Sequence, residues 1–247
     1  MTAMTKTLLT LMLASPLTAL ASVADDIARI RPLLPVGRDI AQIQASLING
    51  STEADAFKGA KANYLIRDIN GDGRPDLLVI SEEQPKIQNY KTNQVCASIN
   101  EPDCSVVYGH RSLHFFLGQR DGSMKLSFTN DKMIIGADEG GAFGDPLEGF
   151  AIRKNGSIIY SVYGGSSWRW SDTDVLQFQS GNLYIIGQDH YEGWTGDLRS
   201  DTISTDLLTG QVIQTHQKNG DAPVQVKRLR IPLKPLVKVV DFDITLN

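Results

Sequence analysis

Only two cysteines, Cys96 and Cys104, occur in 247 residues. So few exclude a disulfide-dense scaffold, and without a CxxC pair they do not resemble a cysteine-based zinc site. An excess of positive charge is also missing. The formal net charge is −4, which argues against a protein that neutralises nucleic-acid phosphates. Beyond residue 21 no apolar run is long enough to cross a bilayer as a helix. There is no G-x-S-x-G elbow, no H-E-x-x-H and no Walker loop. Histidine is limited to His110, His114, His190 and His216. His110 and His114 are four apart in a strand-like stretch, too far separated there for easy chelation. A Ser–His–Asp triad assembled from distant residues stays open.

What is present begins at the N-terminus. Lys6 precedes a nearly uncharged stretch, Thr7 to Leu20, interrupted by Pro16, and Ala19 and Ala21 supply an A-x-A cleavage pattern. Residues 1–21 therefore read as a secretory signal peptide. A cut after Ala24 is the alternative site, and an anchored or buried N-terminal helix the alternative structure. No Cys follows the run, so a lipid anchor is not indicated. Removing residues 1–21 takes away Lys6 and leaves 226 residues of net charge −5, enough for a real core. Export implies a periplasmic or secreted location and no membrane span after processing, and the mildly acidic mature charge implies no nucleic-acid partner. In an oxidising compartment Cys96 and Cys104 are expected to form a disulfide.

Residues 22–61 read as an extension with one helix. Ile40, Ile43, Leu47 and Ile48 recur at helical spacing, with Asp39 as the expected cap and Gly50 as the stop. Pro32 and Pro35 predict an extended, non-helical connection upstream. Residues 62–247 change to short strands with turn punctuation. Tyr64–Arg67 pairs with Leu77–Ile80, Leu113–Leu117 with Lys125–Phe128, Ala151–Arg153 with Ser157–Val162, and Asp174–Gln179 with Leu183–Gly187. A last pair is expected near Gln211–Thr215 and Val224–Val240. The fold expected is mainly β, an antiparallel meander forming a sandwich or a partial propeller-like stack, with one N-terminal helix. The polar segment 81–110 reads as a surface excursion ordered by its disulfide. Near the C-terminus Lys227, Arg228, Arg230, Lys234 and Lys238 alternate with apolar residues and Pro. A protected edge strand explains this pattern; a docking surface for an acidic partner is the alternative.

The segment Asp68-Ile69-Asn70-Gly71-Asp72-Gly73-Arg74-Pro75-Asp76 carries the clearest chemistry. Side-chain oxygens fall at positions 1, 3, 5 and 9, the Arg74 carbonyl at position 7, and Gly73 at the sharp turn. Calcium takes oxygen ligands in this kind of loop. Its ligands would be Asp68, Asn70, Asp72, Arg74 and Asp76, with water completing the shell. An Asx-rich turn without metal is the alternative. Position 12 is Val79, not the Glu of an EF-hand, and apolar strand residues follow. The segment resembles the calcium loop of FG-GAP and VCBS-type β-proteins, in which the loop joins two strands.

A second feature is Gly164-Gly165-Ser166-Ser167-Trp168-Arg169-Trp170-Ser171-Asp172. It holds two of the three tryptophans. With Tyr184-Ile185-Ile186-Gly187, Asp206-Leu207-Leu208-Thr209-Gly210, Gly144-Asp145-Pro146 and the calcium-type loop, the order along residues 62–215 resembles a poorly characterised family of bacterial exported β-proteins. The resemblance implies fold class and export, and no reaction. Trp168 and Trp170 share one strand face with Arg169 opposite. Burying both tryptophans and exposing Arg169 is the simplest arrangement. A binding role for Trp168, Arg169 and Trp170 requires a tryptophan to be accessible as well. The acidic, glycine-rich stretch 136–148 offers Asp138, Glu139 and Asp145 for acid–base work, or simply a solvated loop.

These residues favour a noncatalytic, calcium-stabilised binding or protective protein whose partner is an unknown protein or glycan of the envelope. The alternatives are an envelope hydrolase with an acidic or His-containing site, and a structural envelope component.

Overall fold

The computed structural model describes residues 23–41 and 63–246. Helix α1 (Val23–Ile30) leads through one 3₁₀ turn (Arg31–Leu33) into strand β1 (Arg38–Ile40). There follow β2 (Tyr64–Arg67), β3 (Asp76–Glu83), β4 (Lys86–Asn89), β5 (Cys104–Val107), β6 (Arg111–Gly118) and β7 (Met124–Asn130). The second half contributes β8 (Leu147–Ile152), β9 (Ile158–Gly165), β10 (Trp168–Gln179), β11 (Asn182–Trp194), β12 (Ser200–Asp206), β13 (Gln211–Gln217) and β14 (Gln225–Arg230).

The first sheet is five-stranded, ordered β1-β3-β6-β7, with β2 on the same central strand β3. The second is a seven-stranded meander in which β8 to β14 are neighbours in chain order. A small β4–β5 hairpin forms a separate pair. All of these strand pairings are antiparallel. Among the described residues the protein is thus mainly β with one short helix, as the strand spacing predicts.

The core explains the arrangement. Leu78, Ile80, Leu113 and Phe115 from the first sheet meet Phe150, Tyr160, Val162, Leu176 and Ile185 from the second, so the sheets form a sandwich. The opposite face of the first sheet is also buried. There Leu77, Val79 and Phe116 pack against Ile30 and Leu34. A strand buried on both faces needs a continuous apolar run instead of alternation, and Leu77–Ile80 supplies it. The C-terminal tail closes one end of the core with Val239 and Phe242, held by Asn130 Nδ2 donating to the Phe242 carbonyl at 2.8 Å.

The N-terminal expectation needs correction. Asp39 does not cap a helix: it and Ile40 lie in β1, opposite Glu82 and Ser81. Its carboxylate accepts from Arg31 Nε at 3.0 Å and from the Ile40 N–H at 2.8 Å. Ile43, Leu47, Ile48 and Gly50 lie outside the described residues. The helix that forms is upstream, in a stretch expected to be extended, and Pro32 sits in the first turn of the 3₁₀ segment, where its missing N–H costs nothing. The outer face of β3 selects this helix because Leu77 and Val79 need a cover. β12 is a further strand that sequence reading did not expect; its SDTISTD sequence carries little apolar signal.

Candidate functional site

The Asp68–Asp76 loop joins β2 to β3. Its oxygens are already engaged. Asp68 Oδ1 accepts from the Gly71 and Asp72 N–H groups, and Oδ2 from Gly73 at 2.9 Å. Asp76 is completely buried. It accepts from Ile69 and Asn70 through Oδ2 and from Gly118, the last residue of β6, through Oδ1 at 3.0 Å. Asp72 pairs with the Arg74 guanidinium, and Gly73 has φ +84°. Asp72 is held below the usual carboxylate range by hydrogen bonds from Asn70 and Arg74, which overcome the larger effect of partial burial. Among the described residues the loop's carboxylates do not bring three ligand oxygens within 4.8 Å of one another. Asp68 Oδ1 and Asp76 Oδ2 each already accept two N–H groups, so calcium would require the loop to rearrange. Arg74 supplies the counter-cation in this arrangement.

The two glycine-rich motifs interlock. The Gly165 N–H donates to Gly140 O, and the Ala142 N–H to Gly165 O, both at 2.9 Å. A Cβ on Gly164 would lie 2.6 Å from the Trp170 ring and 2.9 Å from Gly140 O, so backbone and indole approach only because side chains are missing there. The acidic stretch 136–148 is therefore docked, not free. Asp138 and Glu139 are exposed. Asp145 is buried and paired with Arg111, itself 2% exposed, through two hydrogen bonds. Arg111 also reaches Glu82 at 3.2 Å. This is an inter-sheet ion pair, and it leaves Asp145 no freedom for acid–base work.

Alternation places Trp168 and Trp170 on one face and Arg169 on the other, but the degrees of burial differ from the simplest expectation. Trp170 is half-buried against the core. Trp168 is 48% exposed and packs against Trp194, ring centroids 5.3 Å apart. Arg199 lies over both rings, 4.9 Å from Trp168 and 5.9 Å from Trp194. Arg169 is half-buried, its guanidinium 3.9 Å above Phe143.

The register assembles a wider site around these tryptophans. Residues directly opposed across strands share a face. One row holds Tyr160, Asp174, Gln188, Thr205 and Val212; the next holds Val162, Asp172, His190 and Ile203; the next Gly164, Trp170, Glu192, Asp201 and His216. Tyr160 and Val162 belong to the core, so all three rows continue the core-facing side of the second sheet. This side opens to solvent as it leaves the first sheet behind. A bulge between Val175 and Leu176 marks where the β10 face changes from apolar to polar.

His190 is the centre of this open half. Its Nδ1 lies 2.5 Å from Asp172 Oδ1 and its Nε2 3.4 Å from Glu192 Oε1. Their side chains are 43%, 48% and 59% exposed for His190, Asp172 and Glu192. Partial burial pulls the imidazole down, but the hydrogen bonds and charges of Asp172 and Glu192 outweigh it, so His190 titrates above its ordinary value. Asp201 and His216 form a second pair at 2.8 Å. Asp174, one row deeper, is 8% exposed. Burial pushes its carboxyl up to about 6, with the Gln188 hydrogen bond opposing and the Asp172 charge adding.

The other sequence candidates are dispersed. His110 is exposed ahead of β6, and His114 is buried. His114 Nε2 lies 2.7 Å from Ser81 Oγ and its Nδ1 2.9 Å from Thr129. Burial, then the Arg38 charge, lowers its pKa. A Ser–His pair therefore exists, but Thr129 stands where a triad has its carboxylate and Ser81 is fully buried. Cys96 and Cys104 are bridged, with Cα atoms 6.4 Å apart. Sequence reading missed Glu192, Trp194 and Arg199; the available signal was the alternation Gln188, His190, Glu192, Trp194 along one strand. Comparison with protein-family models, curated proteins and solved structures gives no match.

Proposed function

We propose that this is an exported, noncatalytic binding protein that holds a glycan of the envelope on the open face of its second sheet. The observation that carries the reading is the half-exposed Asp172–His190–Glu192 cluster on the same sheet face as the Trp168–Trp194 pair, of which Trp168 is exposed and Trp194 half-buried. Indole rings stack on the apolar faces of sugar rings, and carboxylates and imidazole bond hydroxyl groups, an apolar surface with a few fixed polar groups. Both ring nitrogens of His190 are engaged by carboxylates. That arrangement favours binding over the hydrolase alternative, because a base serving a hydroxyl nucleophile needs one nitrogen for it. The disulfide supports an oxidising, periplasmic or secreted location.

Calcium belongs to the same reading as a stabiliser of the scaffold. Asp68, Asn70, Asp72, the Arg74 carbonyl and Asp76 would hold it, with Arg74 released from Asp72. Melting with calcium and with chelator tests this part. A higher melting temperature in calcium, lost in Asp72→Ala, supports it; identical melts and no calcium by elemental analysis refute it. For the glycan, co-sedimentation with purified peptidoglycan is the test. Wild-type protein should sediment, and a Trp168→Ala, Trp194→Ala double variant with unchanged circular dichroism should stay in solution. Equal sedimentation of both would refute the site.

A further inference from the structure

Strand β14 is a bare sheet edge. It ends the seven-stranded sheet, and all six of its residues are exposed. The direction of its backbone groups follows from the register. The Ile231 N–H donates to Gly210 O at 2.8 Å, in the same register that sets Leu229 opposite Val212 and Lys227 opposite Gln214. Along an antiparallel ladder, residues alternate between bonding the neighbour and facing away. The N–H and C=O groups of Val226, Arg228 and Arg230 therefore point out of the sheet.

The chemistry around this edge has one sign. Between Asp221 and Asp241 there are five cations, Lys227, Arg228, Arg230, Lys234 and Lys238, and no carboxylate, in a chain of net charge −4. Exposed apolar side chains lie among them: Val226 at 50%, Leu229 at 38% and Ile231 at 43%. Lysine or arginine on an edge discourages indiscriminate pairing, and a partner of opposite charge reverses that effect.

We propose that β14 docks an extended acidic segment of another protein, which adds to the sheet as an eighth strand. Its backbone bonds Val226, Arg228 and Arg230, and its carboxylates lie against Lys227, Arg228 and Arg230. A second copy of this chain is a poor occupant. Every antiparallel register joining two or more of the outward-facing residues sets cations opposite each other: Lys227 on Lys227, Arg228 on Arg228, or Arg228 on Arg230. Directly opposed like charges destabilise a pair. Main-chain bonds would supply affinity and charge would supply selection, as in other strand-addition complexes.

The probe is a fluorescent ten-residue peptide of alternating Val and Glu, titrated by anisotropy into the whole protein. Its controls are the Lys-for-Glu peptide and an acidic peptide with methylated backbone nitrogens. Arg228→Pro removes an N–H that bonds nothing within the sheet, so the fold should persist by circular dichroism and melting. Arg228→Gln removes the same charge and keeps the N–H. The acidic peptide should bind and both controls fail. Arg228→Pro should weaken binding about tenfold beyond Arg228→Gln. Failure of the acidic peptide to bind, or equal affinity in the two variants, overturns strand addition. Tighter association with anionic phosphatidylglycerol vesicles, unchanged by Arg228→Pro, overturns it in favour of a lipid surface.

Discussion

Replacing Asp174 by Asn should stabilise the protein, by an amount that grows from nothing below about pH 3.8 to its full size above about pH 6. Asp174 is buried on the core side of β10, and its carboxyl titrates at about 6 instead of 3.8. The folded state thus binds the proton more tightly than the unfolded state. Such a group contributes fully to stability below its unfolded value near 3.8, and the contribution is lost as pH rises through 6. At pH 8 the ionised carboxylate costs about 3 kcal/mol, taking 1.36 kcal/mol per pH unit of difference. Asparagine removes the charge and still accepts the Gln188 Nε2 hydrogen bond, 2.9 Å long in the wild type. Urea unfolding at pH 8 should therefore show Asp174→Asn more stable by up to about 3 kcal/mol, the gain shrinking below pH 6 and vanishing below about 3.8. A difference that stays constant over this range would refute burial as its cause; so would a loss of stability at pH 8.

The Arg111–Asp145 pair should behave oppositely. Asp145→Ala leaves a buried guanidinium short of its main partner and should cost about 3–5 kcal/mol in denaturant unfolding. Trp170→Ala should cost about 2–3 kcal/mol, because the ring packs on the core, whereas Trp168→Ala should change stability by less than about 1 kcal/mol. Mass spectrometry of protein taken from the periplasm should show the Cys96–Cys104 pair two hydrogen atoms lighter than the dithiol, and two free thiols would contradict both the bridge and the compartment.

Much of the scaffold was legible because turns and apolar runs are local signals. The Asp-Gly and Asn-Gly turns between Leu113–Leu117 and Lys125–Phe128 and between Ala151–Arg153 and Ser157–Val162 announced those hairpins, and the apolar run Leu77–Ile80 announced a strand. Asp39 and Ile40 do not start a helix because a tertiary demand wins there: β3 accepts Arg38–Ile40 at its edge, and its outer face takes Ile30 and Leu34. The site was less legible, for a reason of register. The β10–β11 turn pairs Gln179 with Asn182, and continued unchanged that register sets Asp172 opposite Asp189, two like charges. The bulge at Val175/Leu176 slips the pairing by one and sets His190 there instead. A single extra residue thus converts a repulsive pair into the centre of the candidate site. Nothing in the spacing of Asp172 and His190 announces it.

A tryptophan fluorescence titration with soluble peptidoglycan fragments tests the glycan-binding face most directly. Trp168 is exposed and packs on the half-buried Trp194 on the same sheet face as His190, so the account predicts a saturable change in emission that Trp168→Ala greatly reduces and Glu192→Gln weakens, with the melting temperature of each variant near that of wild type. An emission that stays flat over the titration of folded wild-type protein, or a change that persists undiminished in Trp168→Ala, would contradict it.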